Sequence, residues 1–118
     1  FDHLGVFIYS DAEDLASHRL PNPVPRKIAQ NWYDRLMSLQ MSISTDKNQG
    51  YLGKTLDVLV EDILENDIWV GRIAGQAPEV DGVTYIRSKI EQKPNIGDFE
   101  SVKIIDATEY DLFAEMTD

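Results

Sequence analysis

The spacing of apolar residues changes character twice along the chain, and each pattern predicts a different kind of element. Gly5-Val6-Phe7-Ile8-Tyr9 is a short apolar run without alternation, the pattern of a strand covered on both faces. Ser10-Asp11-Ala12-Glu13-Asp14 reads as a polar loop at its end. Leu20-Pro21-Asn22-Pro23-Val24-Pro25 can only be an extended connector, because each proline disfavours helix in the residue before it. From Pro25 the period becomes helical. Ile28, Trp32, Leu36, Leu39 and Ile43 follow one another at three- and four-residue steps, which predicts a helix to about Lys47 with these residues as one packed stripe. Arg26, Lys27, Gln30, Asp34, Arg35 and Ser38 fall on the other side, and Gly50 is the expected stop.

Beyond Gly53 the period is two. Leu56, Val58 and Val60 share one face of a predicted strand over Thr55–Glu61. Further strands are expected at Ile68–Ile73, Val83–Ile86, Val102–Ile105 and Asp111–Met116, with Asp81-Gly82 as a hairpin signal. Five short strands suit a small closed antiparallel barrel of the OB type, since closure removes exposed edges. The fold class expected is therefore mainly β. Residues 1–24 form the end of an α/β domain plus a proline connector, 25–50 the packing helix, and 51–118 the barrel. With no initiator Met and an apolar strand at the outset, the chain reads as the C-terminal part of something longer.

Charge sharpens this picture. Residues 1–52 carry a net −1 and residues 53–118 a net −9, which together make the −10 of the chain. Phosphate backbones are bound by neutralising them with Lys and Arg, so the barrel half suits a basic protein better than nucleic acid. No cysteine is present, which excludes disulfides, a thiolate nucleophile and a cluster held by this chain's own thiolates. His3 and His18 lack metal-ligand spacing. No apolar run reaches the roughly 20 residues of a membrane span, and a cytoplasmic location is expected.

Candidate chemistry is thin. Glu61 with Asp62, or Glu79 with Asp81, could be drawn as acid–base pairs. Among so many carboxylates such neighbours arise by chance, so no catalytic residue is assigned. Gly71, Gly75, Gly82 and Gly97 fall at strand corners and form no phosphate loop. Trp69, Tyr85 and Phe113 could stack bases, but a small barrel needs them as core aromatics. Arg72 is expected to pair with one of the acids.

The order of strand, proline connector, long helix with Arg35-Leu36-Met37 and Leu39-Gln40, and five-stranded barrel resembles the end of the radical-SAM methylthiotransferases, whose last domain is called TRAM. Gly5-Val6-Phe7-Ile8-Tyr9-Ser10, Gly71-Arg72, Ala77-Pro78-Glu79-Val80-Asp81-Gly82 and Tyr110-Asp111-Leu112 resemble the branch that modifies a ribosomal protein. Gln76 departs from that branch, where an Asp is common. The resemblance implies an enzyme that adds a methylthio group to the β-carbon of an aspartate in the twelfth small-subunit ribosomal protein. It also implies two 4Fe-4S clusters and S-adenosylmethionine, all held upstream of Phe1. The implied partners are that basic protein and the chain's own radical-SAM domain, with neither nucleic acid nor membrane. Asp62, Glu65, Asp67, Glu79 and Asp81, taken as lying on neighbouring turns, are the expected substrate-binding residues. The alternatives are a transfer-RNA methylthiotransferase whose barrel binds RNA, and a stand-alone interaction module.

Overall fold

A computed structural model describes residues 1–118 except Asn66, Ile90, Gln92 and Asp118. Helix α1 spans Arg26–Gln49, and five strands follow: β1 Thr55–Ile63, β2 Ile68–Arg72, β3 Thr84–Arg87, β4 Phe99–Ala107 and β5 Leu112–Met116. They close into a barrel in the order β1-β2-β3-β5-β4. An odd ring cannot alternate direction all the way round, so one pair must be parallel. That pair is β3 with β5 (Tyr85 opposite Phe113), and every other pair is antiparallel. The expected OB-like barrel is thus present, with β3–β5 as its one parallel seam.

Alternation along the strands fills the interior. Val58, Val60, Trp69, Ile86, Val102, Ile104 and Leu112 are all at most 2% exposed. Each contributes about 1.5–3 kcal/mol by leaving water. Polar groups inside are matched. Gln76 is buried, and its Oε1 accepts both the Ile73 N–H (3.1 Å) and the hydroxyl of fully buried Thr84 (2.8 Å). One glutamine oxygen therefore serves two buried donors. Gln76→Ala should cost about 2–4 kcal/mol by orphaning both, whereas Gln76→Glu should cost less; urea denaturation distinguishes them.

The Asp81-Gly82 pair does not form a tight hairpin turn. It closes a longer loop between β2 and β3, in which the Asp81 Oδ2 accepts the Ala77 N–H at 2.7 Å. Gly82 is required there because any Cβ would land on the Tyr110 carbonyl.

Two expected packing faces in the first half are not fully covered by the described residues. Gly5–Tyr9 joins no sheet. Leu4, Val6 and Ile8 are half-buried, while Phe7 is 93% exposed, so the segment is covered on one side only. The ladder that a strand needs is not offered by any described residue. Helix α1 has the expected length, but the other face packs. Ala29, Tyr33 and Met37 are half-buried and Gln40, Ser44 and Asn48 buried, whereas Ile28, Trp32, Leu36 and Leu39 are between 43% and 58% exposed. The packed face is polar because it meets backbone groups. Asn48 Nδ2 donates to the Thr108 carbonyl (2.9 Å) and Gln49 Nε2 to that of Ala107 (3.0 Å), satisfying acceptors at the β4–β5 corner.

Polar ties hold the leading segment to this helix. Gln40 Nε2 donates to the Asp2 carbonyl at 3.1 Å, and the Lys47 ammonium lies 2.6 Å from the Asp2 carboxylate. That hydrogen bond and charge hold the Asp2 carboxyl below its usual range and raise Lys47. The depressed carboxylate contributes above its unfolded pKa and is lost as pH falls through the folded value. The raised ammonium contributes below its unfolded pKa and is lost as pH rises past the folded one. The tether is therefore intact from mildly acidic to mildly alkaline pH. Acidification below about pH 4 should loosen residues 1–5 at unchanged barrel structure, and heteronuclear NOE values at Gly5 should fall.

Candidate substrate-binding surface

The five carboxylates expected to act together are divided by the barrel. Asp62 lies near the end of β1, and Glu65 and Asp67 lie in the turn into β2. Glu79 and Asp81 lie in the loop that leaves the opposite end of β2, about 16 Å away along that strand. Consecutive turns of an antiparallel sheet fall at alternate ends, so the expected single patch becomes two. Asp62, Glu65, Asp67 and Glu79 are exposed. Asp81 is largely committed, with Oδ2 on the Ala77 N–H and Oδ1 3.7 Å from His3 Nδ1. Arg72 pairs with Glu61 at 2.7 Å, as its surroundings predicted.

Of the three candidate aromatics only Trp69 is in the core. Tyr85 and Phe113 point to the outer wall, half-buried, and stack on one another with centroids 5.3 Å apart and planes at 21°. Strict alternation places them there, since Thr84, Ile86, Leu112 and Ala114 take the inward positions.

The strand register extends this pair into a row across all five strands. Asp62 is opposite Val70, Val70 opposite Tyr85, Tyr85 opposite Phe113, and Phe113 opposite Asp106. Both terminal aspartates follow β-bulges, one between Val60 and Asp62 and one between Ile104 and Asp106. By simple alternation each would face inward with Val58 and Val60, or with Val102 and Ile104. The extra residue inverts the parity and sets each carboxylate outside. Each then uses Oδ1 on the next backbone N–H, Asp62 on Ile63 and Asp106 on Ala107, both at 2.8 Å. The sequence contains no separate signal for a bulge, so this row was invisible before the register was known.

A groove of about 360 Å³ opens between the leading segment, α1 and two barrel loops, lined by His3, Met37, Gln40, Asp81, Glu109 and Tyr110 among others. His3 Nε2 donates to the Gly75 carbonyl at 3.0 Å, and His18 Nδ1 lies 2.7 Å from Asp11. Among the described residues no three His, Cys, Asp or Glu side chains converge as metal ligands, and no helix is long and apolar enough to cross a membrane.

Comparison with known proteins matches residues 52–117 to a family model described as TRAM domain. The chain is 42% identical over 118 residues to "Ribosomal protein uS12 methylthiotransferase RimO" of Prochlorococcus marinus. It is 45% identical over 116 residues to the protein of that name from Desulfitobacterium hafniense, and 40% identical over 116 residues to that from Clostridioides difficile. Each match covers 98% of this chain and 26% of the relative, so the chain spans about a quarter of the length of these curated relatives.

Proposed function

The chain belongs to the TRAM-domain family, and on that premise we propose that it is the part of a radical-SAM methylthiotransferase that grips a basic ribosomal protein, uS12. The observation that carries this reading is the reach of the similarity, 40–45% identity through the leading segment and helix as well as the barrel. The net −9 of residues 53–118 supports a cationic polypeptide as substrate. Complementary potential speeds encounter and fixes orientation more than it adds affinity.

The chain fits no iron–sulfur cluster, having no thiolate to offer. The bond-making steps and S-adenosylmethionine belong, on this reading, to a radical-SAM domain on the same polypeptide. That domain also accounts for the exposed stripe of Ile28, Trp32, Leu36 and Leu39, which the barrel leaves uncovered. Asp62, Glu65 and Asp67 at one barrel end, with Glu79 and Asp81 at the other, contribute the attracting field.

In the intact enzyme, Glu65→Lys with Glu79→Lys should raise KM for uS12 about fivefold with kcat within twofold, the signature of lost uniform binding. A fall in kcat at unchanged KM would assign the barrel a part in the chemical step and overturn the binding role.

A further inference from the structure

From the register row on the outer wall we propose that Asp62, Val70, Tyr85, Phe113 and Asp106 form a docking strip for arginine or lysine side chains of an extended basic segment. The inference rests on the reading above that the partner is a cationic protein, and it assigns that partner a seat which charge alone does not. Two independent features converge there. The stacked Tyr85–Phe113 pair presents half-buried π surface, which attracts a cation held over it. A carboxylate closes the row at each end, opposite Val70 and opposite Phe113. Two separate bulges, in β1 and β4, are what turn those carboxylates outward.

The carboxylates are held for the purpose. Each uses one oxygen on the following backbone N–H, which fixes its direction, and its other oxygen has no hydrogen bond to the described residues. A guanidinium lying on the rings can therefore reach a carboxylate oriented in advance. The row crosses four strand spacings, about 19 Å along the wall. An extended chain advances about 3.3 Å per residue, so cationic side chains roughly five or six residues apart would engage both ends at once. The neighbouring row, Ile68, Arg87, Glu115 and Lys103, alternates in charge and offers no such platform. Single-stranded RNA also stacks on exposed aromatics, but its phosphates would meet a carboxylate at either end.

The test is an NMR titration of the chain with a short oligo-arginine peptide, following the ring resonances of Tyr85 and Phe113, with uS12 and oligouridine in parallel. The rings should shift and saturate with the arginine peptide. Asp62→Asn with Asp106→Asn, which keeps the oxygen on each backbone N–H, should weaken binding about tenfold. Tyr85→Leu should weaken it about threefold. Glu13→Gln with Asp14→Asn removes the same charge from the exposed leading segment and should change affinity less than about twofold. Unmoved rings, equal loss in the control pair, or saturable oligouridine binding at the rings would each overturn the strip. If the peptide seats there while uS12 does not bind, the strip stands and the functional reading falls. If uS12 binds and the strip variants match the native chain, the strip falls alone.

Discussion

Gly71→Ala should strongly destabilise the barrel. Gly71 is buried in β2 opposite Val60, and an added Cβ would stand 2.5 Å from Cγ1 of Val58 and closer still to the Leu59 carbonyl oxygen. The obstruction is backbone, so no rotamer change relieves it. Nor can β1 step aside, because it is paired on one edge to β2 and on the other to β4. Overpacking of this kind costs upwards of about 3 kcal/mol, against a total stability of about 5–15 kcal/mol for a domain. Thermal unfolding followed by far-UV circular dichroism should show a midpoint lowered by at least about 12 °C or no cooperative transition. A midpoint within about 3 °C of the native chain would mean that the β1–β2 approach is looser than described.

The second large effect is kinetic. Asp62→Lys and Glu65→Lys combined with Asp67→Asn should slow association with uS12 about tenfold at low salt and flatten its dependence on ionic strength. Asp67 takes Asn because its φ of 60° is a left-handed conformation that Asn tolerates and Lys does not. The same triple change should move stability little, since all three side chains are exposed. Stopped-flow association at two salt concentrations, with a denaturation midpoint as control, reads both. An unchanged rate constant would remove long-range attraction from the account.

Much of the barrel was legible in the residues. Alternating Leu56, Val58 and Val60 marked β1, and the turn residues around Asp67 and Gly97 marked its neighbours. Each strand falls within a few residues of its predicted place, because period-two burial leaves one face with no alternative. The differences share a cause, which is that periodicity names an apolar face without naming what covers it. Ile28, Trp32, Leu36 and Leu39 do form a stripe, yet α1 turns Gln40, Ser44 and Asn48 to the chain, where Gln40 reaches the Asp2 carbonyl and Asn48 that of Thr108. Gly5–Tyr9 has strand composition and no sheet to join among the described residues. Tyr85 and Phe113 were assigned to the core as large aromatics, but their neighbours at alternate positions took the interior first.

The candidate surface was less legible than the fold. Composition exposed the acidity of the second half, but not its division between barrel ends, which depends on β2 separating two successive turns. Asp62 and Asp106 were the least accessible of all, because alternation counted from Val58 or from Val102 sends each indoors. Only a bulge, visible in the register, reverses that count. Arg72 beside Glu61 was anticipated because a cation among fifteen acids will find one.

The most direct test is equilibrium binding of this chain to purified uS12 and to transfer RNA, side by side at low and at physiological salt. Submicromolar uS12 binding that weakens with salt, alongside no measurable RNA binding, is the outcome expected of so anionic a barrel. Salt-sensitive capture of transfer RNA with indifference to uS12 would contradict it.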